Sequence, residues 1–254
     1  MILAIDIGNT SIALGGFEGE DLKFVVRLST DITKTEDEYA SKIMNILALH
    51  KVNRENVDGA IISSVVPPLN AVMSRAIRLA YDVESLMVCP GIKTGIGILC
   101  DSPSSVGADL ICSCVAANVL YSSPALIIDI GTATKMIVTN KNGAFIGVSI
   151  IPGVMMGLKA LSNGTAQLPQ VGLEAPATVI GKNTVDCMKS GVIFGHASMM
   201  DGMIDRINNE VGEDLPVIVT GGYASVVVPH CNHKMVIDEH LVLKGLNLIY
   251  LKNK

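Results

Sequence analysis

Apolar residues fall along the chain in short runs that a single carboxylate interrupts. Leu3-Ala4-Ile5-Asp6-Ile7 is one such run, and after the polar stretch Gly8-Asn9-Thr10-Ser11 a second run extends from Ile12 to Phe17. Short β-rich runs bounded by turn residues predict buried strands, so the opening segment reads as a hairpin with its polar residues at the turn. The same outline returns as Leu126-Ile127-Ile128-Asp129-Ile130-Gly131-Thr132-Ala133-Thr134, with Met136 to Thr139 as its second run. The chain therefore reads as two related halves, 1–122 and 123–254, joined near Ser122-Ser123-Pro124, where the turn chemistry suits a short boundary.

The pattern changes to helical spacing between these runs. Thr35-Glu36-Asp37-Glu38 is a capping box, and Tyr39, Ile43, Ile46 and Leu47 follow on one face of a helix. Val57 to Val66 reads as a strand closed by Pro67-Pro68, Leu69 to Tyr81 as the next helix, and Leu86-Met87-Val88 as a short strand. Ala108 to Leu120 is apolar nearly all the way round, the signature of a helix buried on several sides, here expected between the halves. In the second half, Val185 to Val211 is long enough for one or two helices, Val217 to Thr220 is a strand ending in Gly221-Gly222, and the last helix is Glu239 to Leu251. Strands and helices in this order imply a mixed sheet covered by helices, once per half: an α/β fold.

Composition narrows the class further. The chain has 254 residues with 49% hydrophobic residues, only 4% aromatics and no Trp, so its core must be built from Ile, Val, Leu, Ala and Met. The net charge of −5, with Lys and Arg scattered, gives no basic footprint for nucleic acid. No apolar stretch reaches membrane-span length, and Met1 to Asp6 shows neither a basic n-region nor a cleavage site, so a cytoplasmic protein is expected. Cys89, Cys100, Cys112, Cys114, Cys187 and Cys231 contain no C-x-x-C pair, and reduced core thiols are the expectation. His230, Cys231 and His233 lie close together, but with no second ligand pair at zinc spacing they read as a surface loop.

The repeated Asp-x-Gly turn suits phosphate. Gly8 and Gly131 allow the backbone to approach phosphate oxygens. Main-chain N–H groups and the side chains of Asn9, Thr10, Thr132 and Thr134 supply donors. Asp6 and Asp129 repel phosphate directly, so each must act through a cation or a water. A single such turn is ordinary turn chemistry. Two copies with a later strand-Gly-Gly at Val219-Thr220-Gly221-Gly222 give the ordered phosphate 1, phosphate 2 and adenosine segments that resemble the actin-like ATPase and sugar-kinase superfamily, with a duplicated ribonuclease H-like fold of two mixed-sheet domains.

Within that superfamily the chain resembles the type III pantothenate kinases over essentially its whole length. The resemblance rests on Asp6-Ile7-Gly8-Asn9-Thr10, Ile62-Ser63-Ser64-Val65-Val66-Pro67-Pro68, Pro90-Gly91-Ile92-Lys93-Thr94-Gly95, Val106-Gly107-Ala108-Asp109, Asp129-Ile130-Gly131-Thr132-Ala133-Thr134, Pro152-Gly153 and Ile180-Gly181-Lys182-Asn183-Thr184. It implies phosphorylation of pantothenate by ATP with Mg²⁺, the first step of coenzyme A synthesis. Asp109 is then the general base; without the family it reads as an acidic residue favoured in a helix's first turn. By the same resemblance Asp6, Ile7, Gly8, Asn9, Thr10, Ser11, Ile12 and Ala13 line the ATP tail, Thr132 meets a phosphate, and Asp129 helps hold a monovalent cation, K⁺ or ammonium. Cys100, Gly107, Ala108, Asp109 and Leu110 take the pantothenate-binding positions, and Thr184 reaches the substrate from the other subunit of a homodimer.

The chain departs from the family pattern at several site positions. Gly-Ala-Asp-Arg is here Gly107-Ala108-Asp109-Leu110, a common Tyr is Cys100, and the second loop continues as Lys135-Met136-Ile137 rather than Thr-Phe-Asp. Lys135 is expected to point into solvent, with a phosphate contact as the alternative. These departures sustain a second reading, a non-catalytic paralogue that binds a ligand or a partner. A third, an actin-like ATPase that activates a radical enzyme, requires cysteines bridging a dimer around an iron–sulfur cluster.

Overall fold

Successive residues of a strand point to opposite faces of its sheet, and that alternation organises both halves of the molecule. The structure is a computed structural model, and it describes residues 1–165 and 167–254. β1 (Ile2–Ile7) and β2 (Ser11–Glu18) form the predicted hairpin, and β3 (Asp21–Ser29) extends it antiparallel along β2. α1 (Glu36–Ala48) starts at the predicted capping box: the Thr35 hydroxyl accepts from the Glu38 N–H, and Glu38 accepts from the Thr35 N–H at 2.9 Å. β4 (Gly59–Ser64) runs parallel to β1, α2 (Pro68–Tyr81) opens on its proline, β5 (Ser85–Met87) runs parallel to β4, and α3 (Ala108–Leu120) follows.

The second half repeats the scheme. β6 (Ala125–Ile130) and β7 (Ala133–Thr139) are antiparallel, β8 (Phe145–Pro152) lies along β7, and α4 (Val154–Gly164) follows. α5 (Thr184–Val211) is one continuous helix, capped where the Asn183 side chain accepts from the Asp186 N–H at 2.9 Å. β9 (Val217–Thr220), the single turn α6 (Ala224–Val227), β10 (Val236–Ile237) and α7 (Leu241–Asn253) complete the chain. The sheets have the orders β3-β2-β1-β4-β5 and β8-β7-β6-β9-β10, the same arrangement twice, which is what a duplicated α/β unit produces.

Two compact units result, 1–121 with 241–254, and 122–240. The last helix, counted with the second half in the sequence reading, thus belongs to the first unit. Leu243, Leu246 and Ile249 of α7 are buried there with Ile2 and Ala4 of β1, Ile61 of β4, and Cys112 and Val115 of α3. Val119 and Leu120 at the end of α3 are exposed. The opposite face of the same sheet packs Leu3, Ile5, Ile7 and Ile62 against Tyr39, Ile43, Leu69 and Met73 of α1 and α2. In the second unit Leu126, Ile128, Ile130 and Met136 pack on Ala197, Met200 and Ile204 of α5. No helix among the described residues is long and apolar enough to cross a membrane.

Candidate active site

Alternation along β1 places Ile2, Ala4 and Asp6 on the face that α3 covers. Asp6 stands at the end of that row, half-buried, opposite Ala13 on β2 and beside the buried Ser63 on β4. Asp109 lies in the first turn of α3 and is 9% exposed. Both carboxylates act on the same thiol: burial first, then the negative charges of Asp6 and Asp109, hold Cys112 well above the usual range of a thiol. Asp6 and the expected base Asp109 are therefore both brought near Cys112, by a strand and a helix far apart in sequence.

The turn after Asp6 is held by backbone bonds. The Gly8 N–H donates to the Ser11 carbonyl at 3.0 Å, Thr30 donates through Oγ1 to the Gly8 carbonyl at 2.6 Å, and the Thr30 N–H donates to the Thr10 carbonyl at 3.1 Å. Asn9 and Thr10 are exposed at the tip, Ser11 is half-exposed, and Ile7, Ile12 and Ala13 are buried, so the apolar members of the expected ATP segment shape the hairpin and the polar members face outward. Ala108 and Gly107 are half-exposed before Asp109, and Cys100 is half-exposed in the irregular segment preceding them. Leu110 is only 6% exposed.

The second unit repeats the carboxylate geometry. Asp129 stands beside the buried Thr220 of β9 as Asp6 stands beside Ser63. The Gly131 N–H donates to the Ala133 carbonyl at 3.1 Å, and Thr132 is exposed. Gly153, of the Pro152-Gly153 block, presses on this loop: any β-carbon there would collide with the carbonyls of Gly131 and Thr132. Thr134 bonds the imidazole of His196 on α5 at 2.9 Å, a residue the sequence reading did not single out because one His in a long helix carries no motif. Thr184 is exposed at the start of the same helix.

Across the strand from Asp129 stands Lys135, the register counterpart of Ala13 in the first unit. It neither reaches into solvent nor stands clear for phosphate: its Nζ lies 2.6 Å from Asp129 Oδ2, with the two side chains 18% and 14% exposed. The carboxylate that the resemblance gives to a monovalent cation thus already has an ammonium against it, and the residues present do not fit such an ion. In the same register of the first unit, Asp6 stands opposite the Ala13 methyl group.

The expectation of core thiols is revised, and the histidine cluster lies in a half-exposed segment. All six cysteines are free, but only Cys112 and Cys114 are fully buried, whereas Cys89 and Cys187 are exposed. His230 packs edge-on against Phe194 and His233 Nε2 lies 2.9 Å from Asp205. Among the described residues no three His, Cys, Asp or Glu side chains are grouped to hold a metal.

The fold is shared with solved proteins of low sequence identity. The (R)-2-hydroxyglutaryl-CoA dehydratase component A of Acidaminococcus fermentans superposes with a TM-score of 0.58 at 16% identity, over 99% of this chain and 96% of that one. The activator of the 2-hydroxyisocaproyl-CoA dehydratase from Clostridium difficile, solved with bound ADPNP, gives 0.55 at 14% identity, over 99% and 93%. Sequence relatives are nearer. Type III pantothenate kinases from Exiguobacterium sp. and Halalkalibacterium halodurans are 41% and 40% identical, each matched over 100% of both chains. The family model for type III pantothenate kinase matches residues 2–206, and with the two Asp-x-Gly turns, the Asp109 helix start and the duplicated sheet, the chain belongs to the type III pantothenate kinase family.

Proposed function

We propose that this protein transfers the γ-phosphoryl group of ATP to the primary hydroxyl of pantothenate, with Asp109 as general base. The reading is supported by Asp109 in the first turn of α3 and Asp6 at the end of the β1 row that α3 covers. Asp109 takes the hydroxyl proton as that oxygen bonds to the γ-phosphorus, and the bond from phosphorus to the bridging oxygen of ADP breaks. Phosphoryl transfer asks mainly for positioning and charge stabilisation, so one aimed carboxylate beside phosphate-binding turns is sufficient protein chemistry. Mg²⁺ bound with ATP supplies neutralisation of phosphate charge, and Asp6 is the residue that would hold it.

The turn Gly8 to Ser11 and Thr132 offer donors to the phosphates, and Gly107 to Leu110 receive pantothenate at the start of α3, where the positive end of the helix favours its carboxylate. Thr184, exposed at the start of α5, is assigned to the substrate of a second copy, which makes the working form a homodimer in the cytoplasm. Incubation with ATP, Mg²⁺ and pantothenate, with the product identified by mass and ³¹P NMR, tests the reading. A phosphomonoester of pantothenate supports it. ADP without a phosphorylated product would overturn it and favour the ligand-binding paralogue.

A further inference from the structure

The two halves of the molecule treat equivalent carboxylates differently. Asp6 has Ala13 across the hairpin, Asp129 has Lys135, and each has a buried hydroxyl, Ser63 or Thr220, on the neighbouring parallel strand. A carboxylate at a phosphate turn opposes an anionic ligand unless a cation neutralises it. In the second half that cation is covalently part of the chain. Lys135 Nζ is 2.6 Å from Asp129 Oδ2, the length of a charge-assisted bond, and both side chains are largely withdrawn from water. Its stem leaves β7 directly opposite Asp129, so the strand pairing itself sets the distance.

From this pair we infer that Lys135 is a tethered counter-ion that replaces a free monovalent cation at Asp129, leaving nucleotide binding by this protein independent of K⁺ and ammonium. An ammonium on the β7 backbone is present at unit occupancy whatever the salt, whereas a free ion must be recruited from solution. The inference rests on the reading that the turn after Asp129 meets the phosphates of ATP.

The test compares native protein, Lys135→Met and Lys135→Arg in choline chloride and in KCl or NH₄Cl at equal ionic strength, by ADP-release-independent titration of an ATP analogue and by thermal unfolding without nucleotide. Native protein should show analogue affinities equal within about twofold in the two salts, and no shift in Tm. Lys135→Met should bind about tenfold more weakly in choline and recover in K⁺ or ammonium, with a K⁺-dependent rise in Tm, and Lys135→Arg should behave as native. K⁺-dependent binding or K⁺-dependent unfolding in the native protein would overturn the inference, as would a Lys135→Met variant indifferent to salt. Absence of analogue binding in every salt would defeat the ATP reading instead, and the unfolding arm would still decide the tether.

Discussion

The Asp109 carboxylate folds back over the α-carbon of Gly107, so that a methyl group added to Gly107 would meet Oδ1 at 2.5 Å. The glycine that starts α3 thus leaves room for the base in the position it holds. Gly107→Ala should displace that carboxylate and lower kcat roughly 10- to 100-fold, since small misplacements of a reacting group cost that much. The unfolding free energy should change by only about 1 kcal/mol, the scale of an N-cap substitution. Steady-state kinetics beside urea unfolding check both; an unchanged kcat would remove Asp109 from the role assigned to it.

Leu110 puts an apolar side chain where the family carries Arg, next to the residue assigned as base. An Arg at this place gives the carboxylate of pantothenate a charge-assisted partner, and its long stem can carry the guanidinium out of the packed interior. Leu110→Arg should therefore lower KM for pantothenate about tenfold with little change in kcat. A KM that does not move would mean that the substrate carboxylate lies elsewhere.

His196 gives a pH signature. Burial holds its pKa below the ordinary value, so the folded protein keeps the ring neutral beside Thr134 while the unfolded chain takes up a proton first as the pH falls. The stability this residue contributes is whole above the unfolded pKa of about 6.5 and is lost progressively below it. The midpoint of thermal unfolding should fall as the pH is lowered from about 7 to 5, and His196→Gln should flatten that slope. Equal slopes in the two proteins would contradict the assignment.

The thiols report on the packing around the site. Burial pushes Cys114 up to about 12 and, reinforced by Asp6 and Asp109, raises Cys112 as well, whereas Cys89 is exposed. Brief alkylation of the native protein at about pH 8 followed by peptide mass analysis should find Cys89 modified and Cys112 and Cys114 untouched until denaturant is added. Rapid modification of Cys112 would mean that α3 does not cover the Asp6 row as described.

Much of this architecture is legible in the sequence because local signals and burial agree there. Both Asp-x-Gly hairpins, the Thr35–Glu38 capping box and the extent of α3 follow from alternation, capping chemistry and periodicity. The edge strands β3 and β8 have mixed burial patterns that periodicity does not separate from loop, and the return of α7 to the first unit depends on tertiary packing of Leu243, Leu246 and Ile249 that no local pattern encodes. The site shows the same division. Asp6, Asp109 and Asp129 are visible as motif residues, but the partner of Lys135 is fixed by the register of β7 on β6, which the sequence does not print.

ADP release by purified protein with ATP, Mg²⁺ and pantothenate, measured beside Asp109→Asn, tests the central claim most directly. The Asn side chain keeps the shape of Asp109 and loses its basicity, so pantothenate-dependent ADP release should fall by about 10²-fold or more while ATP-analogue affinity stays within a few fold. Pantothenate-dependent release that survives in Asp109→Asn would contradict the assignment of Asp109 as the base.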